Sequence, residues 1–344
     1  MLNCDKNNWA FASGDGKSPR SAFLWLILWS RKGELKTMNK YLVIDIGGTE
    51  IKYSVMDQNL NFMDRGIRKT PYENGIDGFL DTILDIYRQY QQKVEGIAVS
   101  MPGVIDSVRG YCYTGGSLLY NAEQPIAELI TKKCNTRVHI ENDGKCAALA
   151  EYWRGELQGC SNGLVMILGT GIGGGIIIDG KLLRGQHFFA GELSYLNINM
   201  DKWEEADSCF AVKYGAVPMI RKIKEIKGIE DDGFDGVRAF ELINAGDEQA
   251  LEVFHQFARG IALQLCNLQV ILDMEVVAIG GGISRQDIVV ETIKKCWDEI
   301  IDNHPAKNYA TTLPQADLKR CKFTSNANLV GALYSYLEFY SESF

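Results

Sequence analysis

The chain is poor in the residues that build metal or disulfide frameworks. Its 344 residues include four histidines and nine cysteines, and no two cysteines stand at C-x-x-C spacing. A structural zinc site needs about four sulfur or nitrogen ligands, and no such grouping is legible. An odd, unpatterned set of cysteines reads as reduced thiols in a cytoplasmic protein, not as a disulfide framework. Lysine and arginine are outnumbered, giving a net charge of −8, and no basic cluster exceeds a short pair. That argues against a nucleic-acid partner. The apolar run Ala22–Trp29, AFLWLILW, falls well short of the ~20 residues that span a bilayer, so no membrane partner is expected.

That run belongs to a leader that differs from the rest. Asn3–Arg20 is polar and rich in Gly and Ser, and Arg31 and Lys32 follow the apolar stretch. The leader lacks a convincing small-residue cleavage site. Residues 1–38 are therefore expected to be an extension outside the core, with Met38 the natural start and the fold opening at Tyr41.

Glycine is abundant, with 35 residues, and apolar residues make up 46% of the chain. The apolar content is ample for a packed core and suggests two domains. Two glycine-rich turns carry most of the information. Asp45-Ile46-Gly47-Gly48-Thr49 lies between the apolar runs Tyr41–Ile44 and Ile51–Val55. Gly169-Thr170-Gly171-Ile172-Gly173-Gly174-Gly175 lies between Leu164–Leu168 and Ile176–Ile178. Each reads as strand, turn, strand. Successive backbone N–H groups in such turns form a concave anion site, and glycine admits a phosphate without a Cβ in the way. Two turns of one design in two halves suggest a nucleotide clamped between duplicated domains.

The rest of the pattern is mixed α/β. Strands are expected at Tyr41–Ile46, Glu50–Asp57, Val94–Ser100, Arg137–Ile140, Leu164–Leu168, Gly174–Asp179 and Val276–Ile279. Helical spacing marks Gly78–Gln91, Pro125–Lys133, Asp143–Arg154, Asp247–Leu272, Ser284–Asn303 and Asn326–Phe339. Glu141-Asn142-Asp143-Gly144 stands where a strand meets a helix. There Asp143 is well placed as the helix N-cap. Its carboxylate is also placed to take a proton from a hydroxyl nucleophile, with the Asn142 amide holding a neighbouring hydroxyl. Glu192, after Ala190-Gly191, is a second acceptor for sugar hydroxyls, although a lone Glu in a loop is usually a solvated charge. His139 reads as structural, His255 and His304 as helical, and His187 as structural or superficial.

Taken together, DIGGT (Asp45–Thr49), MPG (Met101–Gly103), END (Glu141–Asp143), GTGIGGG (Gly169–Gly175), AGE (Ala190–Glu192) and IGGGIS (Ile279–Ser284) resemble, in order, the ROK (repressor–ORF–kinase) family of sugar kinases and regulators. The resemblance covers essentially everything from Met38 onward. It implies two ribonuclease-H-like α/β domains of the actin–hexokinase type around a cleft. Their expected extents are 39–141 with 327–344, and 142–326. It implies that Asp45 holds Mg²⁺ through water, that Gly47, Gly48 and Thr49 contact the transferring phosphate, and that Gly169, Thr170, Gly171, Gly173 and Gly174 contact the ATP phosphates. Gly280, Gly281 and Gly282 would lie near the adenosine. Asp143 would be the general base, with Gly103, Asn142, Glu192 and the residue at position 195 around the sugar.

Two departures stand out. Many members carry E-x-G-H, and here Tyr195 replaces the His; many carry C-x-C-G-x-x-G-C soon after, and here only Cys209 is found. The chain thus resembles the zinc-free branch, which includes β-glucoside kinase and N-acetylmannosamine kinase-like proteins. The expected activity is transfer of the ATP γ-phosphate to a hexose or hexoside hydroxyl, the 6-hydroxyl first, by a cytoplasmic, homodimeric enzyme of glucokinase or β-glucoside kinase type. N-acetylmannosamine kinase is the alternative acceptor class. A sugar-responsive transcription regulator is the alternative of another kind, and the 38 leading residues do not look like its DNA-binding helices.

Overall fold

In the computed structural model, which describes residues 39–309 and 313–341, the first apolar run of the core forms β1 (Lys40–Ile46). The leader, and every expectation about Ala22–Trp29, lies outside the described residues. β1 pairs antiparallel with β2 (Glu50–Asp57), and β2 pairs antiparallel with β3 (Phe62–Lys69). On its other edge β1 runs parallel to β4 (Gly96–Met101), and β4 runs parallel to β7 (Arg137–Asn142). A small ribbon, β5 (Ile105–Asp106) with β6 (Tyr111–Cys112), stands apart. The second sheet comprises β8 (Gly163–Leu168), β9 (Ile172–Ile178), β10 (Lys181–Leu182), β11 (Val276–Gly280) and β12 (Asp317–Arg320).

The two sheets share one plan. Their orders are β3-β2-β1-β4-β7 and β10-β9-β8-β11-β12. In each, three antiparallel strands lead into two parallel ones. The duplication suggested by the two glycine turns is therefore a duplication of topology: two ribonuclease-H-like sheets, as in the actin–hexokinase type.

Strand alternation sorts the side chains into layers. Leu42, Ile44 and Ile46 of β1 join one core with α1 (Gly75–Arg88) and α2 (Ile126–Cys134). Tyr41 and Val43, one residue out of phase, join another core with α3 (Asp143–Arg154) and the last helix, α9 (Ala327–Ser341). The second sheet behaves likewise. Val165, Val276 and Ala278 point into the core of α3 and α9. Leu164, Met166, Val277 and Ile279 join the core of α4 (Phe210–Tyr214), α5 (Ala216–Ile226), α6 (Gly236–Asn244), α7 (Glu248–Leu272) and α8 (Asp287–Asp302). The pair α3 and α9 is thus a layer shared by both sheets. Its small residues, among them Cys146, Ala147, Ala148, Ala150 and Ala332, let it pack tightly between them.

Several expectations are corrected. The expected strand Gly174–Asp179 begins earlier, at Ile172, because the turn before it is only about three residues long. The expected helix Ser284–Asn303 divides into a 3₁₀ turn, Gly282–Arg285, and α8 from Asp287. His304 is not helical: its Nδ1 accepts from Ala306 N–H and starts a separate 3₁₀ turn. The strands β3 and β12 were not legible. β3 is an edge strand with mostly exposed side chains, and β12 is short and charged.

Candidate active site

Two carboxylates stand at the carboxyl ends of parallel strands of the first sheet, Asp45 on β1 and Asp143 just after β7. Asp45 stands near the end of β1, opposite Ser100 of β4 in the sheet register. Its Oδ1 accepts from Ser100 Oγ at 3.0 Å and from Asn328 Nδ2, at the start of α9, also at 3.0 Å. Burial pushes its carboxyl above the usual range, against the pull of those two donors.

Asp143 opens α3, and here the structure corrects the capping expectation. The cap is Asn142, whose extended backbone (φ −64°, ψ 144°) lets Oδ1 accept from Lys145 N–H at 3.0 Å. Asp143 is already helical, so its carboxylate is not used as the cap. Its Oδ1 accepts from Gly144 N–H at 2.8 Å and from Asn142 Nδ2 at 3.1 Å. Asn142 Nδ2 also donates to the Gly103 carbonyl at 2.9 Å. Burial pushes the Asp143 carboxyl up to about 6, helped by the charges of Asp45 and Glu192 and opposed by Gly144 N–H and the Lys145 ammonium. A carboxyl so placed is a base poised near neutral pH.

Glu192 is brought to the same place by the loop after β10. Its Oε1 accepts from Lys145 Nζ at 3.0 Å. A second pair, Arg184 Nε with Glu141 Oε2 at 2.9 Å, fastens the start of that loop to β7.

Gly103, Asn142, Asp143, Gly169, Gly171, Gly173 and Glu192 line one cavity of about 430 Å³, joined by Ser117, Ser194 and Asn328. Seven expected site residues are thereby assembled in one place. Asp45, Gly47, Gly48, Thr49, Thr170, Gly174, Tyr195 and Gly280–Gly282 do not line that cavity.

The two turns show how their N–H groups are spent. Gly47 N–H donates to Glu50 O at 3.0 Å and closes the first turn, while Thr70 Oγ1 and Tyr72 OH donate to the carbonyls of Gly47 and Gly48. Gly169 N–H likewise donates to Gly171 O at 3.0 Å. Gly174 is buried within β9, where a Cβ would meet Leu193 Cδ1 at 2.8 Å and Val165 O at 2.8 Å. Its missing side chain therefore serves close packing. Gly281 has φ +94° and passes so near β8 that a Cβ would lie 2.1 Å from Leu168 O. Tyr195 is 63% exposed, with its ring 5.2 Å from that of Phe189, so it is not packed in the core beneath Glu192.

His139 is structural: it is buried against Ser335 Oγ at 2.8 Å, and burial lowers its pKa to about 4. Cys209 takes part in an isolated backbone bridge with Asn197. Among the described residues no group of three or more His, Cys, Asp or Glu is arranged to hold a metal.

Sequence reasoning missed Lys145, Ser100, Ser117 and Asn328. Lys145 had left a signal: a lysine in the first turn of an otherwise small and apolar helix stands against the helix dipole and needs a partner. The others are single polar residues without a motif.

A family model described as the ROK family matches residues 41–338. The chain is 29% identical to a beta-glucoside kinase of Listeria monocytogenes, over 87% of this chain and 98% of that protein. It is 30% identical to an N-acetyl-D-glucosamine kinase of Vibrio atlanticus, over 74% of this chain and 88% of that protein. Its fold is similar to that of a ROK family protein from Streptococcus pneumoniae crystallised in complex with sucrose, with a TM-score of 0.77 and 26% identity over 88% of this chain and 99% of that one. With the motifs in order, the duplicated sheets and a match along nearly the whole core, the chain belongs to the ROK family.

Proposed function

We propose that this chain is an ATP-dependent sugar kinase, transferring the ATP γ-phosphate to a hydroxyl, the 6-hydroxyl first, of a hexose or hexoside. The observation that carries this reading is the convergence of Asp143, Asn142 and Glu192 with the Gly169–Gly171 turn on one cavity. Asp143 removes the proton of the attacking hydroxyl. Its raised pKa suits that task, since a base near neutral is both ionised and strong enough to act. Asn142 and Glu192 orient the sugar. Phosphoryl transfer leaves little covalent work to the protein, so positioning and charge neutralisation do the rest.

Gly48 and Thr49 of the first turn face the transferring phosphate in this reading. Gly169, Thr170, Gly171 and Gly173 face the remaining phosphates, and Gly280–Gly282 the adenosine. Asp45 suits Mg²⁺. Two neutral donors fix its Oδ1, and Mg²⁺ commonly completes its shell with water and phosphate oxygens, needing only one or two carboxylates. When bound, it would neutralise charge on the phosphates. Lobes comprising 39–141 with 327–344, and 142–326, close over the substrates and exclude water, which would otherwise accept the phosphoryl group.

The relatives' names and the exposed Tyr195 favour acceptors bulkier than glucose, a β-glucoside or an N-acylated hexosamine. A cytoplasmic setting agrees with the free thiols of the eight described cysteines, and no described helix is long and apolar enough to cross a membrane. A homodimer is part of the same proposal.

Coupled ADP release across glucose, cellobiose, N-acetylglucosamine and N-acetylmannosamine tests the reading. Sugar-dependent ADP release is the expected result. Sugar binding without ADP release would instead identify a regulator or a silent binding protein.

A further inference from the structure

Lys145 is the buried charge that the phosphoryl-transfer reading leaves without a task. It is 1% exposed and sits in the first turn of α3. Both burial and the helix dipole disfavour an ammonium there, so the position makes sense only if its charge is matched. The match is Glu192, 47 residues away in sequence, whose Oε1 lies 3.0 Å from Lys145 Nζ. The lysine's backbone N–H meets Asn142 Oδ1, also at 3.0 Å. Asn142 then reaches both the Gly103 carbonyl and Asp143 Oδ1 through Nδ2. One continuous hydrogen-bonded chain therefore runs from Gly103 through Asn142 and Lys145 to Glu192, with Asp143 attached.

We propose that Lys145 is a positioning residue for the sugar: through Nζ it fixes the Glu192 carboxylate, and through its backbone N–H it fixes Asn142, so that the two sugar-gripping side chains on separate segments hold one geometry. This rests on the sugar kinase reading. The charged groups facing Lys145 are Glu192 and Asp143, both acidic. Arg184 is occupied by Glu141 and does not substitute. Removing the ammonium would leave Glu192 unpaired at the cavity wall. A residue that merely filled space could be replaced by an apolar one of equal length.

Lys145→Met makes that replacement. Truncating one partner of a hydrogen-bonded charge pair disturbs binding through the orphaned partner. The expected result is a sugar KM raised at least about tenfold, with the ATP KM within about twofold of wild type. Glu192→Gln should raise the sugar KM similarly. Combining the two should add little to Glu192→Gln alone, because residues acting as a pair are not additive. An unchanged sugar KM in Lys145→Met, or single effects that simply multiply, would overturn the proposal. Melting temperatures of the same four proteins, without substrate, repeat the cycle independently of activity. Coupling in melting with no sugar turnover by any of them would sink the kinase reading but keep the pair; turnover without coupling would do the reverse. Should Lys145→Met fail to fold, recovery of a folded protein by adding Glu192→Gln supports the proposal. If neither folds, Lys145→Gln takes the place of Lys145→Met in the cycle, with the same outcomes deciding.

Discussion

Gly331 of α9 abuts the backbone of Cys146 in α3 so closely that a Cβ on Gly331 would lie 1.7 Å from the Cys146 carbonyl oxygen. The contact joins the two helices of the layer that both sheets bury. Backbone is on the far side, so no rotamer change can relieve a clash.

Gly331→Ala sets two effects against each other. Alanine favours the helix by ~1 kcal/mol, while overpacking costs about 1–3 kcal/mol and more where backbone must shift. The clash should win. The variant is expected to melt several degrees below wild type, and a thermal or urea melt checks it. A melting temperature equal to or above wild type would show that α3 and α9 do not cross this tightly.

Asp143→Asn keeps the shape of the side chain and leaves the cap, which is Asn142, untouched. Loss of a general base typically costs ~10²–10⁴-fold in rate, and sugar binding should persist. In wild type, kcat/KM should fall on the acid side of about pH 6, where Asp143 takes up its proton. The stability effect has the opposite sense to that of a salt-bridged aspartate. The folded pKa of about 6 lies above the ordinary 3.8, so folding favours the protonated form. That contribution is present at low pH and is lost as pH rises through about 6. Asp143→Asn should therefore melt above wild type at pH 7–8, with the gap closing towards pH 4. Near-wild-type turnover in Asp143→Asn would remove the base assignment.

The inner strands of the sheets were legible because their side chains alternate cleanly between two cores, as Leu42, Val43 and Ile44 of β1 do, whereas the edge strands β3, β10 and β12 were not. The site was legible where a motif concentrated it, as in Glu141–Asp143 and the Gly169–Gly171 turn. What escaped depends on partners distant in sequence. Asn328 reaches Asp45 across 283 residues, and Lys145 reaches Glu192 across 47. The cap was misassigned for a local reason: Asn142 and Asp143 are both good caps, and only the backbone angles decide which of them is extended. Gly174 shows the converse limit. A glycine that packs against Leu193 and one that greets a phosphate read alike in sequence.

The proposed placement of Mg²⁺ at Asp45 predicts metal dependence. Removal of divalent cations with EDTA should abolish turnover, and added Mg²⁺ should restore it. Asp45→Asn preserves Oδ1 as acceptor for Ser100 and Asn328, so the fold should survive while the Mg²⁺ needed for half-maximal rate rises severalfold. Zinc is expected well below one equivalent in protein purified without chelator, since Tyr195 stands where the family resemblance implies a His and Cys209 is the one cysteine of the segment that follows. Stoichiometric zinc would point to ligands outside the described residues or to His187 and Cys209.

Tyr195 should help choose the sugar. A His at this position offers a ring nitrogen to a hydroxyl and to zinc, whereas Tyr offers a flat apolar ring with one polar tip. Here the ring is 63% exposed and rests against Phe189, three residues before Glu192. In the proposed reading, in which Glu192 grips the sugar, these two exposed rings beside it would offer a surface for the apolar C–H face of a sugar. Cellobiose or an N-acylated hexosamine should therefore be phosphorylated alongside or ahead of glucose. In Tyr195→His the ranking should shift towards glucose, with the bulky acceptors losing kcat/KM several-fold while the KM for ATP stays put. The comparison is kcat/KM for glucose, cellobiose, N-acetylglucosamine and N-acetylmannosamine in both proteins. Glucose clearly first in each, with the ranking unchanged, would make Tyr195 a bystander on the surface and the enzyme a plain glucokinase.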